Sequence, residues 1–167
     1  MKPLLLFVLL WVNSINAQIL LLDVLPLIDA KVTYKKVHEV LGNSKTDLVS
    51  KAGNWYTYQS IALEVDKPLD ETHQYLSGTY AFKTLWGPND YIELYKEVQC
   101  KINLTLKNER YQYEISSFLI KEPNRATQLE VFKMDDKKLS KYNQDFYKRI
   151  DKKINELISG LEEAMSN

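Results

Sequence analysis

The stretch that decides the fold is residues 98–119, VQCKINLTLKNERYQYEISSFL. Val98, Cys100, Ile102, Leu104 and Leu106 alternate with Gln99, Lys101, Asn103 and Thr105. Lys107-Asn108-Glu109-Arg110 then turns the chain. Beyond it, Tyr111, Tyr113, Ile115, Ser117 and Leu119 alternate with Gln112, Glu114, Ser116 and Phe118. Successive strand side chains point to opposite faces, so each run carries one apolar face and one polar face. The stretch is therefore predicted to be a long antiparallel hairpin with one face buried.

Working outward, Tyr75 to Leu85 reads as a further strand, closed by the turn signal Trp86-Gly87-Pro88-Asn89-Asp90. Ile61 to Val65 reads as a short strand, and Asp66 to Thr72, with Pro68, as a loop. Lys31 to Val40 is β-rich, with Val32, Tyr34, His38 and Val40 on one face, and ends at Gly42-Asn43. Ser44-Lys45-Thr46-Asp47 fits a capping box. Leu48, Ala52 and Trp55 follow at i, i+4 and i+7, with Val49 and Tyr56 beside them, which predicts a helix. Gly53 weakens that helix by about 1 kcal/mol relative to Ala.

Downstream, Glu122 to Thr127 reads as a loop around Pro123. Leu139, Tyr142, Phe146, Ile150, Ile154, Leu157, Leu161 and Met165 then recur at the helical period. Asp135 or Asp136 suits the start of this helix, and Asp145 and Arg149 are spaced as an i, i+4 pair. At about 1.5 Å per residue the helix would reach about 40 Å, enough to cross a sheet. The expected architecture is α+β, an antiparallel sheet of about four to five strands. Two helices cover one face of it, the second a long C-terminal amphipathic helix.

The beginning of the chain reads differently. Lys2 precedes an unbroken apolar run from Leu4 to Val12, and Asn13, Ser14, Asn16, Ala17 and Gln18 follow. A basic start, an apolar core and a polar end closed by a small residue make a secretory signal peptide. Cleavage is expected between Ala17 and Gln18, with Ile15 bulkier than usual at −3. The run is interrupted too early for a spanning helix, which needs about 20 apolar residues, so no stable membrane span is expected after cleavage. Residues 18–30 read as an extended leader broken by Pro26, and residues 31–167 as one domain.

Residues 1–17 hold one Lys and no acid, so the remaining 150 residues carry 21 basic and 22 acidic side chains. That balance lacks the clustered positive charge that recruits nucleic acid. Cys100 is the single cysteine, so the chain has no intrachain disulfide and no cysteine-based metal site. Cys100 also sits in phase with Val98 and Ile102, which predicts a buried, inert thiol. Asn103-Leu104-Thr105 matches the glycosylation pattern but lies inside a strand, where the match is coincidental.

Few residues invite chemistry. His38 alternates with Val and Tyr on a strand and reads as a core or edge residue. His73 lies beside Asp70 and Glu71, a setting that a metal site or general base would use and that a solvated loop explains more simply. Asp135-Asp136 is better explained by capping than as a catalytic pair. There is no Gly-rich phosphate loop and no nucleophile-elbow serine. No catalytic residue, cofactor or metal ligand is assigned. Trp86 and Tyr91 flank the Gly-Pro turn and form the candidate interaction surface, with packing back onto the sheet as the plainer alternative.

Several of these features together resemble a known family. Leu25-Pro26-Leu27-Ile28-Asp29-Ala30-Lys31-Val32 leads into the first strand, and a capped helix carrying Trp55 follows. The Gly78-containing strand, the Cys100-to-Leu119 hairpin and a closing helix ending Leu161-Glu162-Glu163-Ala164-Met165 complete the order. This resembles the exported bacterial domain-of-unknown-function family with a TATA-binding-protein-like fold, common in Bacteroidetes-type bacteria, over roughly Pro26 to Met165. The resemblance implies a curved antiparallel sheet with helices on one side and supplies no catalytic residues. Fold likeness does not transfer function. The expected function is a non-enzymatic binding or structural module of the bacterial cell envelope, periplasmic or secreted. Its partner would be an envelope protein or glycan. The alternative is a carrier of a small apolar ligand between the sheet and the C-terminal helix.

Overall fold

A computed structural model describes residues 24–87, 95–132 and 142–167. The two long strands of the opening stretch are β6 (Tyr95–Lys107) and β7 (Arg110–Glu122), joined at Asn108-Glu109, where Glu109 has φ +58°. Around them lie β3 (Tyr34–Glu39), β4 (Ala62–Pro68), β5 (Gln74–Leu85) and β8 (Arg125–Gln128). The sheet runs β3-β7-β6-β5-β4, with β8 also pairing β7, every pairing antiparallel. It has six strands, more than the four to five expected. The extra strand comes from the segment read as a loop. Pro123-Asn124 is the two-residue turn of a hairpin that pairs Glu122 with Arg125, so Pro123 sits where its missing N–H costs no ladder bond.

The first β-rich segment also divides. β1 (Leu27–Ile28) and β2 (Lys31–Val32) form a small hairpin of their own, and β3 begins after Thr33. Leu25 is buried in the core and Thr33 N donates to Pro26 O at 3.0 Å.

Helix α1 (Lys45–Tyr58) starts at the predicted capping box. Ser44 Oγ accepts from Asp47 N at 3.1 Å, and Asp47 Oδ2 accepts from Ser44 N at 3.2 Å. Leu48, Ala52, Trp55 and Tyr56 are its buried stripe. Helix α2 (Asn143–Ser166) buries Phe146, Ile150, Ile154, Leu157, Leu161 and Met165 as the spacing predicts. Leu139, Asp135 and Asp136 lie outside the described residues. The expected Asp145–Arg149 pair does not form, because Arg149 Nη1 reaches the Leu85 and Gly87 carbonyls at 2.9 and 3.4 Å. Both helices pack on one face of the sheet in a single continuous core.

One register feature corrects the reading of the hairpin. Ser117 has φ +56°, and the β6–β7 pairing slips between Gln99 and Lys101. The extra residue is a β-bulge, and it flips the phase of everything after it. Ser117 is thus exposed and Phe118 and Ile120 are fully buried, the reverse of the predicted faces for Ser117, Phe118 and Leu119.

Candidate functional site

β7 has two partners along one edge: β3 pairs residues up to Ile115, and β8 begins at Leu119. The bulge falls in the gap between them. The β1–β2 hairpin stands over this gap, and Val32 N donates to Glu130 Oε1 at 2.8 Å. Glu130 belongs to a 3₁₀ turn, Leu129–Val131, that follows β8. The result is a surface groove of about 360 Å³. Leu27, Ala30, Phe118, Leu119 and Val131 form its apolar lining, with Asp29, Lys31, Ser117, Gln128 and Glu130 among them. Val131 is 60% exposed, and neighbouring Ile28 is 45% exposed.

Three lining residues hold left-handed backbone without being glycine: Asp29 at φ +51°, Ala30 at φ +59° and Ser117 at φ +56°. Asp29 and Ala30 occupy the two-residue turn between Ile28 and Lys31. Asp tolerates that conformation; Ala gains nothing from it. Strain of this kind concentrates at sites that need a fixed shape. The groove's size falls in the range of small-ligand pockets. Its described lining holds no histidine or cysteine, and one carboxylate oxygen of Glu130 is already occupied by Val32.

The residues singled out in the sequence do not gather here. Trp86 is 8% exposed, its ring 5.9 Å from Phe132 and its face covered by Lys96 Nζ at 4.9 Å. It packs back onto the core. Tyr91, Ala17 and Gln18 lie outside the described residues. Burial pushes the Cys100 thiol up to about 12, which keeps it protonated and unreactive. His38 stacks on Tyr111, ring centroids 5.0 Å apart, with Nε2 3.0 Å from Glu162 Oε1 but out of hydrogen-bond alignment. Burial lowers its pKa, Glu162 opposing and Lys36 assisting.

His73 closes a turn. Asp70 Oδ1 accepts from Thr72 N at 2.7 Å and His73 N at 2.8 Å, and His73 Nδ1 lies 2.9 Å from both carboxylate oxygens. Bonds from the His73 and Thr72 side chains hold Asp70 well below the usual carboxylate range. Asn103 Oδ1 accepts from Tyr75 Oη at 2.9 Å and Ser77 Oγ at 2.7 Å on the sheet's open face. Among the described residues no group of three or more His, Cys, Asp and Glu is placed to hold a metal, and no helix is long and apolar enough to cross a membrane.

The sequence alone could not have found the groove, because its walls come from residues 27–31, 117–119 and 128–131. Along β7 the buried apolar residues have odd numbers through Ile115 and even numbers at Phe118 and Ile120, with the apolar Leu119 between them masking the change of phase in the sequence.

No family model and no curated protein matches the chain. Two solved structures do. A TBP-like protein from Parabacteroides distasonis is 16% identical, with a TM-score of 0.63 over 85% of this chain and 97% of its own. A DUF4468 family protein from Bacteroides ovatus is 12% identical, with a TM-score of 0.61 over 86% of this chain and 91% of its own. The chain therefore has a TATA-binding-protein-like α+β fold, the fold that the sequence resemblance implied.

Proposed function

We propose that this chain is an exported, non-enzymatic binding module of the bacterial cell envelope, and that the groove beneath the β1–β2 hairpin is its contact site. The signal-like residues 1–17 support export. The observation that carries the binding role is the groove itself, with apolar walls and three strained non-glycine residues that fix its shape. An apolar segment of an envelope protein fits it, Val131 and Ile28 forming the rim. The carrier reading places a ligand between the sheet and α2. The groove gives it less support, because it opens at the sheet's edge.

A photocrosslinking residue at position 131 in living cells tests this. Position 41 serves as control, since Leu41 is 79% exposed and lies in the loop after β3. The expected result is one discrete adduct from position 131, absent from position 41 and lost on Leu119→Lys with the fold intact. Equal adducts from both positions, or none, would sink the proposal.

A further inference from the structure

β5 is a long strand with a short neighbour. On one side it pairs with β6 along its whole length, from Gln74 opposite Leu106 to Leu85 opposite Tyr95. On the other side β4 pairs only with Gln74 to Thr79. Before Ala62 the chain turns away at Ser60, φ +55°, and Ile61 N donates back to Tyr56 O at 2.9 Å. From Tyr80 to Leu85 the outer edge of β5 therefore meets no described strand. Beyond the ladder to β6, the described hydrogen bond on this stretch comes from a side chain: Arg149 Nη1 donates to Leu85 O at 2.9 Å and reaches on to Gly87 O at 3.4 Å. Backbone groups two residues apart point to the same edge of a strand, so Ala81 and Lys83 present theirs on the side of the Leu85 carbonyl. Both residues are exposed. A free edge of this kind is a template for another chain.

What flanks the edge decides which chain it takes. A recess of about 140 Å³ runs along Lys83 and Thr84 of β5 and Arg149, Lys152, Lys153 and Glu156 of α2. The acid among them, Glu156, already has Lys153 Nζ 3.7 Å away. Lys83 and Lys152 form no ion pair among the described residues. Glu97, opposite Lys83 on β6, accepts from Gln99 Nε2 at 3.1 Å instead. Lys83 stands on the open face, in phase with Ala81, whereas Lys152 and Lys153 belong to the helix layer. Cations thus border the edge on both faces of the sheet. A second copy of this chain set edge to edge would bring these lysines against their own images, and like charges opposite one another destabilise a sheet. The same charges attract an acidic strand, whose side chains would alternate between Lys83 on one face and Lys152 and Lys153 on the other. We propose that the outer edge of β5, Tyr80 to Thr84, is a docking site for an extended acidic segment of a partner protein, added to the sheet as a further strand. This edge is separate from the β7 groove and stands whether or not that groove binds a protein.

The test is an NMR titration of the purified protein, at physiological salt, with the end-capped peptide Thr-Glu-Glu-Val-Glu-Glu-Val-Thr. Saturable shifts are expected at the backbone amides from Tyr80 to Leu85, with hydrogen exchange slowed at Ala81 and Lys83. Lys83→Glu combined with Lys152→Glu should weaken that binding about tenfold or more. Both residues are exposed, so the thermal midpoint should stay where it is. The double variant should instead bind the peptide that carries lysine at each glutamate position, which the parent does not. A peptide of the same charge with proline at both valines cannot complete the ladder and should leave the parent's amides unmoved. The proposal is overturned if the acidic peptide shifts no amide from Tyr80 to Leu85, or if the double variant binds it as well as the parent. It is equally overturned if the proline peptide or a sulfated oligosaccharide moves these amides as strongly, since the edge would then attract any polyanion and pair with no strand.

Discussion

At the scale of single residues, Gly78 shows how one missing side chain positions a helix on a sheet. A Cβ there would lie 2.7 Å from Tyr56 Cε1, 2.8 Å from Ala62 O and 2.9 Å from Ile61 Cγ2. Tyr56 comes that close because its hydroxyl donates to Ile102 O at 3.0 Å across the buried core. Two of the three neighbours are a backbone oxygen and a packed ring, so neither can move aside cheaply. Gly78→Ala is expected to lower stability by about 1–3 kcal/mol, measured as a fall in the denaturant midpoint; an unchanged midpoint would show that α1 does not need this approach. Ala30 is the opposite case. At φ +59° its side chain opposes the turn, so Ala30→Gly should raise stability by about 1 kcal/mol in the same measurement. Cys100→Ser places a hydroxyl where the thiol is 1% exposed, and a loss of about 1–3 kcal/mol is expected from its poor pairing.

Elements in this chain were legible where their code is local. The capping box at Ser44 and Asp47 marks the start of α1, and the spacing from Phe146 to Met165 gives α2, because both depend on residues within a few turns. The bulge at Ser117 and the β8 hairpin were missed. Ser-Ser and Glu-Pro-Asn carry weak local preferences, and what fixes them is the register of a neighbouring strand. The long helix is expected to hold the sheet together through its buried stripe. Phe146 is fully buried between Phe132 and Tyr147, so Phe146→Ala should cost about 3–5 kcal/mol. A thermal midpoint shift of only a few degrees would refute that placement. His38 on β3 also touches α2 through Glu162, and its environment on all sides includes Lys36, Tyr111 and Tyr113. Its pKa is lowered chiefly by burial, so the unfolded chain binds more protons there. The stability tied to neutral His38 is present above about pH 6.5 and is lost as pH falls through the lowered pKa. His38→Gln should therefore flatten the decline in thermal midpoint between about pH 7 and pH 5.

For the molecule as a whole, the fold raises one question that its surface can answer. TATA-binding proteins grip the minor groove with basic side chains and apolar wedges carried on the sheet. Here the face away from the helices carries Gln99, Lys101, Asn103 and Thr105 on β6 and Gln112, Glu114 and Ser116 on β7. Three of its basic groups are paired, Lys101 with Glu64, Lys35 with Glu114 at 2.9 Å and Arg110 with Glu39 at 2.9 Å, while Lys67, Lys83, Lys107 and Lys121 share the face in register without an ion pair among the described residues. Phe118, the aromatic that simple alternation along β7 put on this face, is fully buried by the bulge, while Val37 and Tyr95 stand about half exposed on it. The basic side chains of the face alternate with Glu39, Glu64, Glu97 and Glu114 across the strands, which weakens the attraction for a phosphate backbone and the release of its counterions. The protein is expected not to bind duplex DNA at physiological salt. Exported protein should begin at Gln18 by amino-terminal mass spectrometry, and a secreted location would keep it from DNA altogether. Micromolar binding to a duplex, weakening steeply as salt is raised, would overturn the reading of this face as a polar surface of mixed charge. Retention of Leu4 to Val12 in the mature species would overturn the export proposal independently.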